Sequence, residues 1–269
     1  MPQQSDLQRE LTEAVREFST NGFRSAEQLQ FWIARLRRIL TGQQQVSASQ
    51  VASAVLRGVY RKAVTGGIKK YHPGISVRTI EDIEPRLRPI LQARIFASAD
   101  LIKLNREQAI ETTLRRFSGW ASAQTGSGTE VREAKAHIYK NLRQSNYEER
   151  RMMIDQGHKL LASINQTVAE GSGAIAVEWH SHWRQAGYDY RPDHKERDGK
   201  IYLLRNSWAR EQGFVKPGAN GYYDDITHVA EEPYCRCFAS YLYSLRQLPS
   251  DMLTQAGRDK IESVKNAIS

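Results

Sequence analysis

Apolar positions in the first 170 residues recur every three or four places, and strand-like alternation is rare, so the pattern predicts helices. Leu7, Leu11, Val15 and Phe18 form one apolar face over 5–18. Ser25-Ala26-Glu27-Gln28 reads as a capping box that opens a helix carrying Leu29, Trp32, Ile33, Leu36, Ile39 and Leu40. Val51, Val55, Val59 and Tyr60 mark a third helix over 47–64, which Gly66-Gly67 is expected to stop. After a turn at Tyr71-His72-Pro73-Gly74, Thr79 with Asp82 is the expected cap of a long tract reaching about Gln124. Pro85 falls in its first turns, and Pro89 is expected to kink or interrupt it. Thr125-Gly126-Ser127-Gly128 reads as a hinge, followed by a helix over 129–143. Ser145-Asn146-Tyr147-Glu148 reads as a second capping box, opening a helix to about Glu170 that Gly171-Ser172-Gly173 ends.

The pattern then changes. Short apolar runs at Ala174–Val177, Ile201–Leu204 and Cys237–Tyr243 are separated by turn signals such as Lys216-Pro217-Gly218, which predicts a compact α+β unit with long ordered loops. Residues 250–269 read as a polar, weakly amphipathic helix. The fold class expected is α+β, a mainly helical N-terminal region followed by a small α+β domain. The segments are a basic helical region over 1–144, the α+β domain over 145–249 and a helical tail over 250–269.

Charge sharpens that division. The chain of 269 residues carries a net charge of +9. Residues 1–172 hold 26 basic and 17 acidic side chains, and the remainder hold 13 of each. The excess points the helical part toward something anionic. Arg35, Arg37 and Arg38, then Arg57, Arg61, Lys62, Lys69 and Lys70, are the candidate phosphate contacts, with Arg86, Arg88, Arg94, Arg115 and Arg116 continuing the series. Such contacts neutralise phosphate without reading bases, and no helix-turn-helix or zinc-finger pattern accompanies them. The simpler reading is a solvated helix face whose cations pair with Glu and Asp. No apolar run reaches the ~18 residues of a membrane helix, and the start of the chain lacks a signal-peptide pattern. The expectation is a soluble protein made in the cytoplasm, with no membrane partner.

The densest chemistry lies in Arg191-Pro192-Asp193-His194-Lys195-Glu196-Arg197-Asp198-Gly199. Trp183 precedes it, and Pro217-Gly218 and Glu231-Glu232-Pro233-Tyr234-Cys235-Arg236-Cys237 follow. This ordered set resembles the C-terminal domain of the phage Mu F-like minor head proteins, the phage head morphogenesis family, over roughly residues 145–245. The family-like core comprises Trp183, Arg191, His194, Asp198, Gly199, Cys235, Arg236 and Cys237. The resemblance implies a low-copy protein of the capsid interior, near the portal vertex. Its implied partners are the portal protein, the inner capsid surface and packaged double-stranded DNA. No established catalytic activity comes with that domain, and no cofactor is expected, with zinc the one candidate.

The residues by themselves leave other readings open. His194, Cys235 and Cys237 are zinc-ligand types, with Asp198, His180, His182 or His228 able to complete a set. Equally, the two cysteines could be small buried residues at a strand start, sharing one face as alternation requires. A catalytic reading, a nuclease or transferase acting on nucleic acid, would use His194 as general base oriented by Asp198, or Cys235 as nucleophile. The plain alternative is a polar network holding a loop. Trp179 and Trp183 are four apart and would share a face if helical. Together with Tyr188, Tyr190, Tyr202, Tyr222 and Tyr223 they suit either base stacking or the core of a small domain.

Overall fold

A computed structural model describes residues 2–42, 47–73, 77–128 and 130–268. The fold is α+β, largely helical with one small antiparallel sheet. Among the described residues no helix is long and apolar enough to cross a membrane. The chain divides into two compact units that are each discontinuous in sequence. The first holds Met1–Ser53 and Phe96–Met153, the second Ala54–Ile95 and Ile154–Ser269.

The first unit is built from α1 (Pro2–Asn21), α2 (Ala26–Gly42) and parts of two longer helices, α5 (Val77–Ser122) and α6 (Val131–Gly171). The expected faces are the buried ones. Leu7, Leu11, Val15 and Phe18 of α1 meet Trp32, Leu36 and Leu40 of α2, and Leu114, Phe117 and Ile138 close the same core. Burying a Leu or Phe side chain contributes about 1.5–3 kcal/mol, so this cluster holds the unit together. Ser25 caps α2 by accepting the Gln28 N–H at 3.2 Å, while the Gln28 side chain accepts from Arg24 N at 3.4 Å.

Five local expectations are corrected. The path after α3 (Ala48–Lys62) does not stop at Gly66-Gly67: a π-helical turn, Ala63–Gly67, leads into the short α4 (Ile68–Tyr71). Helix α5 begins before Thr79, whose side chain lies outside those described, so Thr79 is not its first cap. The same helix runs through both Pro85 and Pro89 for 46 residues. Each proline removes one backbone donor, and burial of Ile83, Leu87 and Leu91 on either side offsets that loss. The 125–128 segment is tied down rather than a free hinge, since Phe23 N donates to Gln124 O and Gly128 N to Ser19 O. Ser145 opens no helix. It lies inside the 41-residue α6, buried, with its hydroxyl and carbonyl accepting from Asn105 Nδ2. The boundary expected at 144–145 therefore falls within a helix.

The second unit contains the sheet. The three apolar runs become β1 (Ala176–His180), β2 (Ile201–Leu203) and β3 (Phe238–Leu242), in the order β2-β1-β3 and antiparallel throughout. Alternation along the strands feeds two cores. Val177, Trp179, Tyr202, Ala239 and Tyr241 face one, with Ala169 of α6, Tyr223, Cys235 and Cys237. Ala176, Leu203 and Leu242 face the other, with Ala209, Val215, Leu245 and Met252. Ala209 lies on the one-turn α8 (Trp208–Glu211). The tail is α9 (Gln255–Ile268), and Ile261 packs it against that second core. A sheet buried on both faces fixes its register tightly, because a one-residue slip would exchange the two sets.

Candidate functional site

The family-like residues gather at one end of the sheet, where β1 ends and β2 and β3 begin. His194 sits on α7 (Pro192–Glu196), a short helix with Pro192 in its first turn, where a missing N–H costs nothing. Its ring lies edge-on to Trp179, with centroids 5.2 Å apart. Its Nδ1 faces both cysteines, 3.6 Å from Cys235 Sγ and 3.5 Å from Cys237 Sγ. These three groups are sealed: His194 and Cys235 are 1% exposed and Cys237 4%. The other ring nitrogen, Nε2, is buried without a hydrogen-bond partner. Carboxylate oxygens of Glu232 and Asp193 face it at 3.7 and 3.9 Å.

Asp198 anchors the neighbouring loop rather than His194. Its carboxylate accepts the Ser181 N–H at 2.8 Å and the Trp183 indole N–H at 2.9 Å. Burial pushes its pKa up, but those two hydrogen bonds outweigh that and hold it below its ordinary value. Lys195 Nζ and the Arg184 guanidinium lie over the Trp183 ring at 4.6 and 4.9 Å. Gly199 adopts φ +74°, which lets its N–H reach Trp179 O at 2.8 Å. Arg191 pairs with Glu232 and donates to Pro233 O. Arg236 donates its backbone N–H to Tyr188 Oη and lays its guanidinium over that ring.

Of the eight residues, Trp183 and Asp198 touch directly, as do His194, Cys235 and Cys237, while Arg191, Gly199 and Arg236 contact Glu232, Trp179 and Tyr188 beside them. The two cysteines behave as a coupled pair. A hydrogen bond between their side chains pulls the Cys235 thiol below its ordinary pKa and raises Cys237 correspondingly. Sequence reasoning missed Ser181, and gave Glu232 and Tyr188 no part in this site. Glu232 stood inside the quoted Glu-Glu-Pro stretch and Tyr188 among the candidate stacking aromatics, whereas Ser181 carried no signal.

Other expectations resolve differently. Trp179 is in strand β1, so it shares no helix face with Trp183. Tyr202 and Tyr223 are buried core residues; Tyr188 and Tyr222 are half-buried and Tyr190 is exposed. His180 stacks on Phe238 and His228 on Tyr223, while His182 meets Phe238 edge-on. Among the described residues, only His194, Cys235 and Cys237 form a group able to share a metal ion.

The basic candidates fall in both units and are described for each alone. In the first unit Arg35 is paired with the buried Glu10, and Arg37 with Glu111. Arg38 on α2 is exposed. In the second unit Arg57, Arg61, Lys62 and Lys70 are exposed, and Lys70 Nζ sits over the Tyr71 and Phe238 rings at 5.7 and 5.6 Å. The Lys69 side chain lies outside those described. Segment 54–95 has nine basic and three acidic residues, so the unit bearing the Cys-Arg-Cys stretch is itself basic, 23 against 18. The first unit has 16 against 12.

No family model, curated protein sequence or solved structure matches this chain.

Proposed function

We propose that this chain is a minor head component of a tailed phage or prophage, acting mechanically rather than catalytically. It docks near the portal inside the capsid through one surface and contacts packaged DNA non-specifically through exposed cations. The observation that supports this reading is that the family-like residues gather at one end of the sheet, where Trp183 holds Asp198, His194 meets Cys235 and Cys237, and Arg191 reaches His194 through Glu232. Residues chosen only for their likeness to the head family turn out to be neighbours in the fold. A nuclease or transferase would need His194 reachable and Asp198 beside it. Instead His194 is sealed and Asp198 is committed to Ser181 and Trp183. The cations best placed for DNA are Arg61, Lys62 and Lys70 rather than the ion-paired Arg35 and Arg37.

Co-expression with the portal protein encoded beside this gene tests the docking. Stable co-purification is expected, and a gene remote from any portal gene together with no co-purification would refute the reading. DNA binding should weaken steeply with salt. The Arg61→Ala/Lys62→Ala double variant should reduce the slope of log K against log salt by about 2. Absence of binding at low salt would remove the DNA contact from the proposal.

A further inference from the structure

His194 Nδ1 is approached by two buried sulfurs at nearly equal distance, 3.6 and 3.5 Å. Hydrogen bonding alone accounts poorly for this, because an imidazole nitrogen offers a single lone pair or a single N–H. One sulfur can use it well; the other is left with weaker sulfur contacts, the neighbouring thiol and, for Cys237, Ser181 Oγ at 3.9 Å. A cation at the centre of the three atoms removes the conflict. Zinc bonds nitrogen at about 2.0 Å and thiolate sulfur at about 2.3 Å, so tetrahedral angles separate the nitrogen from each sulfur by about 3.5 Å. The observed spacings match that figure on both edges.

The surroundings fit the same assignment independently. When Nδ1 binds a metal, the proton must sit on Nε2, and metal-bound histidines characteristically present that N–H to a carboxylate. Here Nε2 is buried and unpartnered, and Glu232 Oε2 stands 3.7 Å away, itself held by Arg191. A movement of under about 1 Å closes that hydrogen bond. Backbone constraints also converge: Pro192 starts α7, β3 begins directly after Cys237, and Arg236 is fixed between the cysteines through Tyr188. Two thiolates with one imidazole favour zinc over calcium, magnesium or manganese, whose preferred ligands are oxygens.

We propose that His194 Nδ1, Cys235 Sγ and Cys237 Sγ bind one zinc ion that pins α7 to the start of β3. Three protein ligands leave the fourth tetrahedral position to a water molecule. Binding displaces the two thiol protons to solvent, so the site's net charge is unchanged. The role is structural, since the sealed ligands leave no approach for a substrate. This inference stands whether or not the head-protein reading holds.

The full chain, purified under reducing conditions without chelator, should contain about one zinc per molecule. Titrating its thiols with a mercurial should release the metal in step with two sulfurs, a readout that needs no variant. Exchange of zinc for cobalt(II) should produce an intense thiolate-to-cobalt charge-transfer band, which Cys237→Ser should weaken and Cys235→Ser/Cys237→Ser should abolish. Metal-free protein that takes up no cobalt would overturn the proposal. So would zinc that persists in the double serine variant, or cobalt bound without thiolate charge transfer.

Discussion

Asp198→Asn removes a charge while keeping nearly the same shape, and so isolates what the carboxylate does. Wild-type Asp198 accepts two charge-assisted hydrogen bonds, from Ser181 N and from the Trp183 indole. The asparagine carbonyl can still serve one donor. Its amide group then faces the other N–H, donor against donor. Hydrogen bonds to charged groups contribute about 1.5–3 kcal/mol each, and Asp198 is only half-buried, so the lower part of that range applies. The expected loss is about 1.5–2 kcal/mol, or roughly 3–8 °C in melting temperature for a unit of this size. The carboxylate titrates below its ordinary value in the folded chain. Around that ordinary value the unfolded chain therefore binds more protons. The stabilisation is present at neutral pH and is lost as pH falls through the lowered pKa. Urea unfolding of the full chain labelled with 5-fluorotryptophan, followed by fluorine NMR at the Trp183 resonance, measures both effects. Equal midpoints at pH 7, or a wild-type advantage that survives unchanged well below the carboxylate range, would refute the reasoning.

Two further outcomes follow from the second unit. His72 is buried, stacked on Tyr241 and hydrogen-bonded to Tyr243, and burial lowers its pKa from 6.5 to about 4 despite an opposing hydrogen bond with Asn165. The unfolded chain takes up that proton first, so stability should fall by up to about 3 kcal/mol as pH drops from 6.5 to 4. His72→Phe should flatten this part of the denaturation profile, and an unchanged slope would show that another group sets it. A Cβ at Gly257, in the first turn of α9, would overlap the Phe214 carbonyl oxygen. Gly257→Ala should therefore loosen α9 and speed proteolysis or amide exchange over 255–268, while unaltered protection there would contradict the close approach.

Much of the fold was legible because its signals are local. The α1 and α2 faces, the Ser25 cap and the runs that became β2 and β3 read correctly from periodicity and turn residues, while the Ala174–Val177 run overlaps only the start of β1. The misreadings share a cause, which is a distant partner overriding a local cue. Ser145-Asn146-Tyr147-Glu148 has the composition of a cap, yet Asn105, forty residues earlier, engages Ser145 and the helix passes through. Pro89 ought to break α5, but burial around it keeps the helix whole. The two-unit division is hidden for the same reason. Ala54–Ile95 belongs with Ile154–Ser269, across a long gap in sequence, and this places the most basic tract in the unit with the cysteines.

The candidate site was legible as chemistry but not as geometry. His194, Cys235 and Cys237 could be named as ligand types. That Nδ1 faces both sulfurs while Nε2 turns to Glu232 depends on how α7 and the loop before β3 meet. The i to i+4 spacing of His194 and Asp198 suggested a pair. Helix α7 ends at Glu196, so the spacing carries no helical meaning, and Asp198 turns to Trp183 instead.

The central claim is that this protein is carried in a phage head as a minor component. Quantitative mass spectrometry of purified, nuclease-treated particles from the strain that encodes it tests this most directly. The account predicts the intact chain at a few to some tens of copies per particle, far below the major capsid protein and present in empty proheads as well. Its absence from both particles and proheads, when the portal protein is readily detected in each, would contradict the account.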